Sequence, residues 1–158
     1  MANTQSMCTS FMGELLTATH NFGTAPTRAS SAADTFRGAL YLASATINAS
    51  TTAYSTTGEV TGTGYSAGGV VVTNGTAPIA TNASSTAGVA YWTPSASLTY
   101  TSVTLTTAFD AVLIYNASQS NKAVSVHTFG SQTITAGNFT LTMPSNTSST
   151  ALLRLATT

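Results

Sequence analysis

Hydrophobic and polar residues alternate one for one along much of the chain beyond residue 34. Val103 and Leu105 alternate with Thr104 and Thr106. Val124 and Val126 alternate with Ser125 and His127. Phe139, Leu141 and Met143 alternate with Thr140 and Thr142. A period of two sends successive side chains to opposite faces of a strand, so these segments are predicted strands with one buried face and one Thr/Ser face. Residues 111–115 (AVLIY) are apolar without a break, which predicts a strand covered on both faces. β-Branched and aromatic enrichment between Gly, Asn and Pro breaks predicts strands at 35–43, 58–61, 69–73, 89–93, 98–106, 111–116, 123–129, 132–135, 139–143 and 152–156.

Residues 8–22 carry a different period. Phe11, Leu15, Ala18 and Phe22 recur at i, i+4, i+7 and i+11 on one helical face, widened by Met12 and Leu16. Thr9 or Ser10 can cap the N-terminus by accepting a backbone N–H. A helix this short is marginal alone in water, so it must dock on its own sheet or on a neighbouring subunit. Residues 1–7 read as a mobile or partner-bound arm. Residues 21–33, 58–69 and 74–88 read as loops, the second with five glycines in twelve residues. Asp110 falls in an expected turn between two strands. The fold class is mainly β: an antiparallel β-sandwich, jelly-roll-like, preceded by a short N-terminal helix. The expected organisation is an arm and helix over 1–22 and a single β-sandwich domain over 23–158.

Composition narrows the function classes. Thr, Ser and Ala supply 78 of 158 residues, and only 5% are charged, with a net charge of zero. Four Lys/Arg cannot neutralise a phosphate backbone, so no nucleic-acid partner is expected. Four acids are too few for a carboxylate-built metal site. The chain is 42% hydrophobic, which argues for a folded domain rather than disorder. Cys8 is the single cysteine, so an intramolecular disulfide and a thiolate zinc site are both excluded. The stretch MANTQSMCTSFMGELL has no basic region leading a continuous apolar run, so no signal peptide is expected. No apolar run is long enough to span a bilayer, and no membrane partner is expected.

Candidate chemistry is sparse. The bases are His20, His127 and four carboxylates, and no Gly-x-Ser-x-Gly elbow is present. Glu59 and Asp110 are the only carboxylate pair well inside the β region, but two carboxylates must flank one bond to hydrolyse a glycoside. The string 62–68 (GTGYSAG) lacks the lysine and the following helix of a phosphate loop. No catalytic, cofactor-binding or metal-binding residue is assigned, and no enzymatic activity is expected. Tyr91, Trp92 and Tyr100 would suit carbohydrate if exposed, or the core if buried. Arg154, in A-L-L-R-L-A, either extends to a sheet edge or, with Leu155, meets another subunit.

Four blocks carry a resemblance: C-x-S-F-x-x-E-L-L ending in H-N-F (8–22), D-T-F-R-G-A-L-Y (34–41), T-T-A-Y-S-T-T-G-E-V-T-G-T-G-Y-S-A-G-G (51–69) and L-I-Y-N-A-S-Q-S-N-K-A-V (113–124). The chain resembles small structural proteins of tailed bacteriophages, in the role of capsid cement or decoration protein. The resemblance implies a homotrimer on the outer surface of the virion capsid, bridging major capsid subunits with no cofactor. It makes Cys8, Phe11, Met12, Leu15 and Phe22 candidate contacts to the capsid or a neighbour. A tail, baseplate or receptor-binding module of the virion is the alternative.

Overall fold

Five of the expected strands merge into two. Residues 98–106 and 111–116 belong to one strand, β6 (Leu98–Asn116), and the three segments between 123 and 143 form β7 (Lys122–Leu141). The Phe-Asp, Gly130 and Gly137 positions that suggest turns are irregularities within a continuing ladder. The β6–β7 register shifts between Tyr100 and Val103, Val103 and Leu105, Leu105 and Phe109, and Phe109 and Ala111. Extra residues absorbed as bulges bend a strand without ending it. Asp110 therefore lies inside β6, not in a turn.

The computed structural model describes residues 3–16, 19–22, 33–81 and 88–156. The remaining elements are β1 (Ser6–Met7), α1 (Thr9–Leu16), β2 (Phe36–Leu42), β3 (Val70–Val71), β4 (Ile79–Thr81), β5 (Val89–Trp92) and β8 (Leu153–Ala156). They form a five-stranded sheet, ordered β1-β7-β6-β2-β3, and a three-stranded sheet, ordered β4-β5-β8. Every pairing is antiparallel. The protein is mainly β.

Several expectations shift at the edges. The arm contains β1, which pairs Ser6 with Val126 and Met7 with Ser125. The helix expected over 8–22 runs Thr9–Leu16, and residues 17–18 lie outside those described. The expected strand at 58–61 is a single bridge between Glu59 and Tyr41. The 74–88 loop contributes β4, whose residues are all exposed.

The core follows the alternation in part: Ser125, expected on an open Thr/Ser face, is buried along with Val124 and Val126. Val103 and Leu105 are buried while Thr106 faces solvent. Residues 111–115 are buried throughout, as an unbroken apolar run requires. One face of the five-stranded sheet is covered by the segment after β2: Tyr54 stacks on Tyr115 at 4.6 Å, and the Tyr41 hydroxyl donates to the Ser55 carbonyl. Elsewhere Phe22 stacks on Phe36 at 4.3 Å and packs against Trp92 at 4.7 Å, joining β2 to β5 of the smaller sheet. Among the described residues no helix is long and apolar enough to cross a membrane.

Candidate functional site

The scarce charges are concentrated at two buried polar centres. The first fastens the N-terminal segment. Cys8 N–H donates to the Val124 carbonyl, and Phe11 packs edge-on against His20 and Phe22. Glu14 receives Lys122 Nζ at 2.6 Å and meets His20 Nε2 at 2.7 Å. Asn116 Nδ2 lies 3.1 Å from His20 Nδ1 and donates to Asp34 Oδ2 at 2.8 Å. Asp34 also accepts from Asn21 N–H at 2.7 Å and from Gln119 Nε2 at 3.1 Å.

This network fixes a tautomer. Asn116 Nδ2 can only donate, so His20 accepts at Nδ1 and donates from Nε2–H to Glu14. Burial lowers the His20 pKa against the pull of Glu14, consistent with a neutral ring. Burial alone would raise Glu14, but its hydrogen bonds to Lys122 and His20 outweigh that and hold the carboxyl below its ordinary range. Burial, aided by Glu14, pushes the Cys8 thiol up to about 11. A buried thiol held in its protonated form is inert at neutral pH.

The second centre closes the Gly-rich segment over the sheet. Glu59 accepts from Tyr54 Oη at 2.6 Å, Tyr65 Oη at 2.7 Å and Gly68 N–H at 2.7 Å. Tyr65 Oη in turn accepts from Leu40 N–H. Arg37 donates to the carbonyls of Gly68 and Gly69, and Tyr115 Oη donates to Gly68. A buried carboxylate with three donors is satisfied rather than poised for chemistry. Gly69 is obligatory here: its φ is +68°, and a Cβ would lie 1.7 Å from the Gly38 carbonyl oxygen.

Glu59 and Asp110 keep separate sets of partners. Glu59 is enclosed by tyrosines, while Asp110 accepts from Asn3 Nδ2 at 2.6 Å. His127 Nε2 lies 2.9 Å from Ser125 Oγ, and burial pushes its pKa down to about 4. Trp92 is buried with its indole N–H on the Thr76 carbonyl, and Tyr100 is buried with its hydroxyl on Gly38. Neither ring is therefore available as an exposed platform for sugar.

The candidate contact residues divide. Cys8, Phe11 and Phe22 are buried in the chain's own core, because the helix docks on its own sheet and covers that apolar stripe. Leu15 is partly buried and lines an apolar cavity of ≈ 110 Å³ with Phe11, Phe22, Trp92 and Leu153. The Met12 side chain lies outside the described residues. Arg154 and Leu155 are exposed on β8. Asp34, Asn116, Gln119 and the tyrosines were not expected to share a site. Their signal was available: a neutral chain that places polar residues at the ends of apolar runs, as in L-I-Y-N, must satisfy them locally.

Comparison with protein-family models, with curated proteins and with solved structures returns no match to the chain.

Proposed function

We propose that this chain is a structural virion protein that decorates a phage capsid and stabilises it by bridging neighbouring major capsid subunits. In this reading it sits on the outer capsid surface as a homotrimer. Its two antiparallel sheets, joined through Phe36, Phe22 and Trp92, form a jelly-roll-like sandwich.

The observation that carries the reading is where the charges lie. All four carboxylates are engaged inside the chain: Glu14 with Lys122 and His20, Asp34 with Asn116 and Gln119, Glu59 with its tyrosines, Asp110 with Asn3. Arg37 turns onto backbone carbonyls. What faces solvent is mostly Thr, Ser and Ala. A solitary soluble protein ordinarily keeps a charged surface against self-association. A hydroxyl-coated surface without long-range repulsion suits copies held close together on a lattice, where many weak contacts add through multivalency. The function is then mechanical: apolar and hydroxyl surface buried across capsomer seams raises the cost of separating them.

Copy number in purified particles tests this, by quantitative mass spectrometry against the major capsid protein. Hundreds of copies in a simple ratio to the capsid subunit are expected. A handful of copies would favour the tail, baseplate or receptor-binding alternative. Complete absence from particles would overturn both readings.

A further inference from the structure

A cleft of ≈ 280 Å³ lies between the two sheets, lined by Gln5, Ser6 and Met7, by Ser125 to His127 of β7, and by Ala151 to Arg154. Its walls are the edge strands β1 of the larger sheet and β8 of the smaller. Each has one strand partner among the described residues, β7 for β1 and β5 for β8. An edge strand presents unpaired N–H and C=O groups, a ready template for an incoming strand.

Arg154 stands at the rim. It is exposed, and its Nε donates to the Ser148 carbonyl at 2.6 Å. No carboxylate among the described residues pairs with it, whereas Lys122 has Glu14. A guanidinium retains further donors in a fork that matches a carboxylate. A second copy is a poor source of that carboxylate, because all four acidic side chains of this chain already have internal partners. Two β8 edges paired antiparallel with Arg154 opposite Arg154 would juxtapose like charges, which is destabilising.

We propose that the β1–β8 cleft receives an extended, carboxylate-bearing segment of a different protein, which adds a strand along β8 and seats its carboxylate on Arg154. Strand addition takes affinity from main-chain hydrogen bonds and specificity from alternate side chains. Arg154 and Leu155, both exposed on β8, supply one charged and one apolar position for reading such a segment. The proposal rests on the reading above, in which the chain docks on a larger partner, and it names the chemistry of that contact.

The test uses the isolated full-length chain and two capped heptapeptides, Thr-Val-Thr-Glu-Thr-Val-Thr and its counterpart with central Gln, followed by backbone NMR. The Glu peptide should shift amides at 5–7 and 152–156, and binding should weaken at least fivefold with the Gln peptide or in Arg154→Gln. Arg154→Glu should reverse the preference toward a peptide with central Lys. Val71→Thr, remote on β3, should bind as the parent does. Equal binding of the Glu and Gln peptides, shifts outside the cleft, or no shift at millimolar peptide would overturn the proposal. No particle enters this experiment, so its failure is read separately from a failure of the virion reading, which copy number decides.

Discussion

Glu59 shows what a single charge does in a chain this poor in charge. Its carboxylate accepts three hydrogen bonds and ties Tyr54, Tyr65 and the Gly68 backbone to one point. Glu59→Gln keeps the shape but turns an NH₂ donor toward groups that are themselves donors. The expected cost is about 1–3 kcal/mol, read as a lower urea midpoint with unchanged slope. A loss below about 0.5 kcal/mol would show that the cage is incidental. His127 makes a different prediction. The unfolded imidazole binds a proton near pH 6.5, the folded one only near pH 4. Between those values the unfolded state holds more protons, so stability is complete above pH 6.5 and falls as pH drops toward 4. The expected loss is on the order of 1–3 kcal/mol. His20 is depressed too and acts in the same direction. Comparing the urea midpoints of the parent and His127→Gln from pH 7 to pH 4 isolates the His127 share, and identical slopes would refute it.

At the scale of elements, α1 belongs to the core. Its Phe11 packs on His20 and Phe22, Phe22 covers Phe36 and Trp92, and Glu14 pins it to Lys122 on β7. Phe11→Ala should cost about 3–5 kcal/mol, measured by denaturant unfolding. Removing residues 1–22 should destabilise the β sheets, not merely trim an arm. A truncated chain with an unchanged melting temperature would show that the dock is dispensable. The Gly-rich segment behaves as an element as well, closed at Glu59 and at Gly69. Gly69→Ala must both adopt an unfavourable φ and displace the Gly38 carbonyl. It should destabilise by more than about 2 kcal/mol or abolish soluble expression, whereas Gly130→Ala, with nothing within 4 Å, should be nearly neutral.

For the whole molecule, the placement of charge matters more than its total. With the carboxylates engaged internally and Arg154 the exposed cation without a carboxylate partner among the described residues, few long-range interactions are left for salt to screen. Calorimetry between about 20 and 200 mM NaCl should therefore move the melting temperature by less than about 2 °C. A larger shift would mean that the buried centres are open to ions.

Alternation of apolar residues with Thr and Ser determined by itself that the chain is β and where most strands run, because side-chain direction in a strand has a period of two; it did not determine that Ser125 is buried with its Val124 and Val126 neighbours. The 3.6-residue stripe over 8–22 pointed to a helix there, of which Thr9–Leu16 is helical. Sequence did not determine that Gly130, Gly137 and Asp110 lie within continuing strands. A glycine or aspartate looks alike in a bulge and in a turn, and only the partner strand decides which it becomes. Nor did it determine that His20, Asp34, Asn116 and Lys122 share one network, or that Phe11 and Phe22 face inward. Those residues are far apart along the chain: the β2–β6 pairing sets Asp34 beside Asn116, and the docking of the helix on its own sheet brings Glu14 to Lys122 and His20.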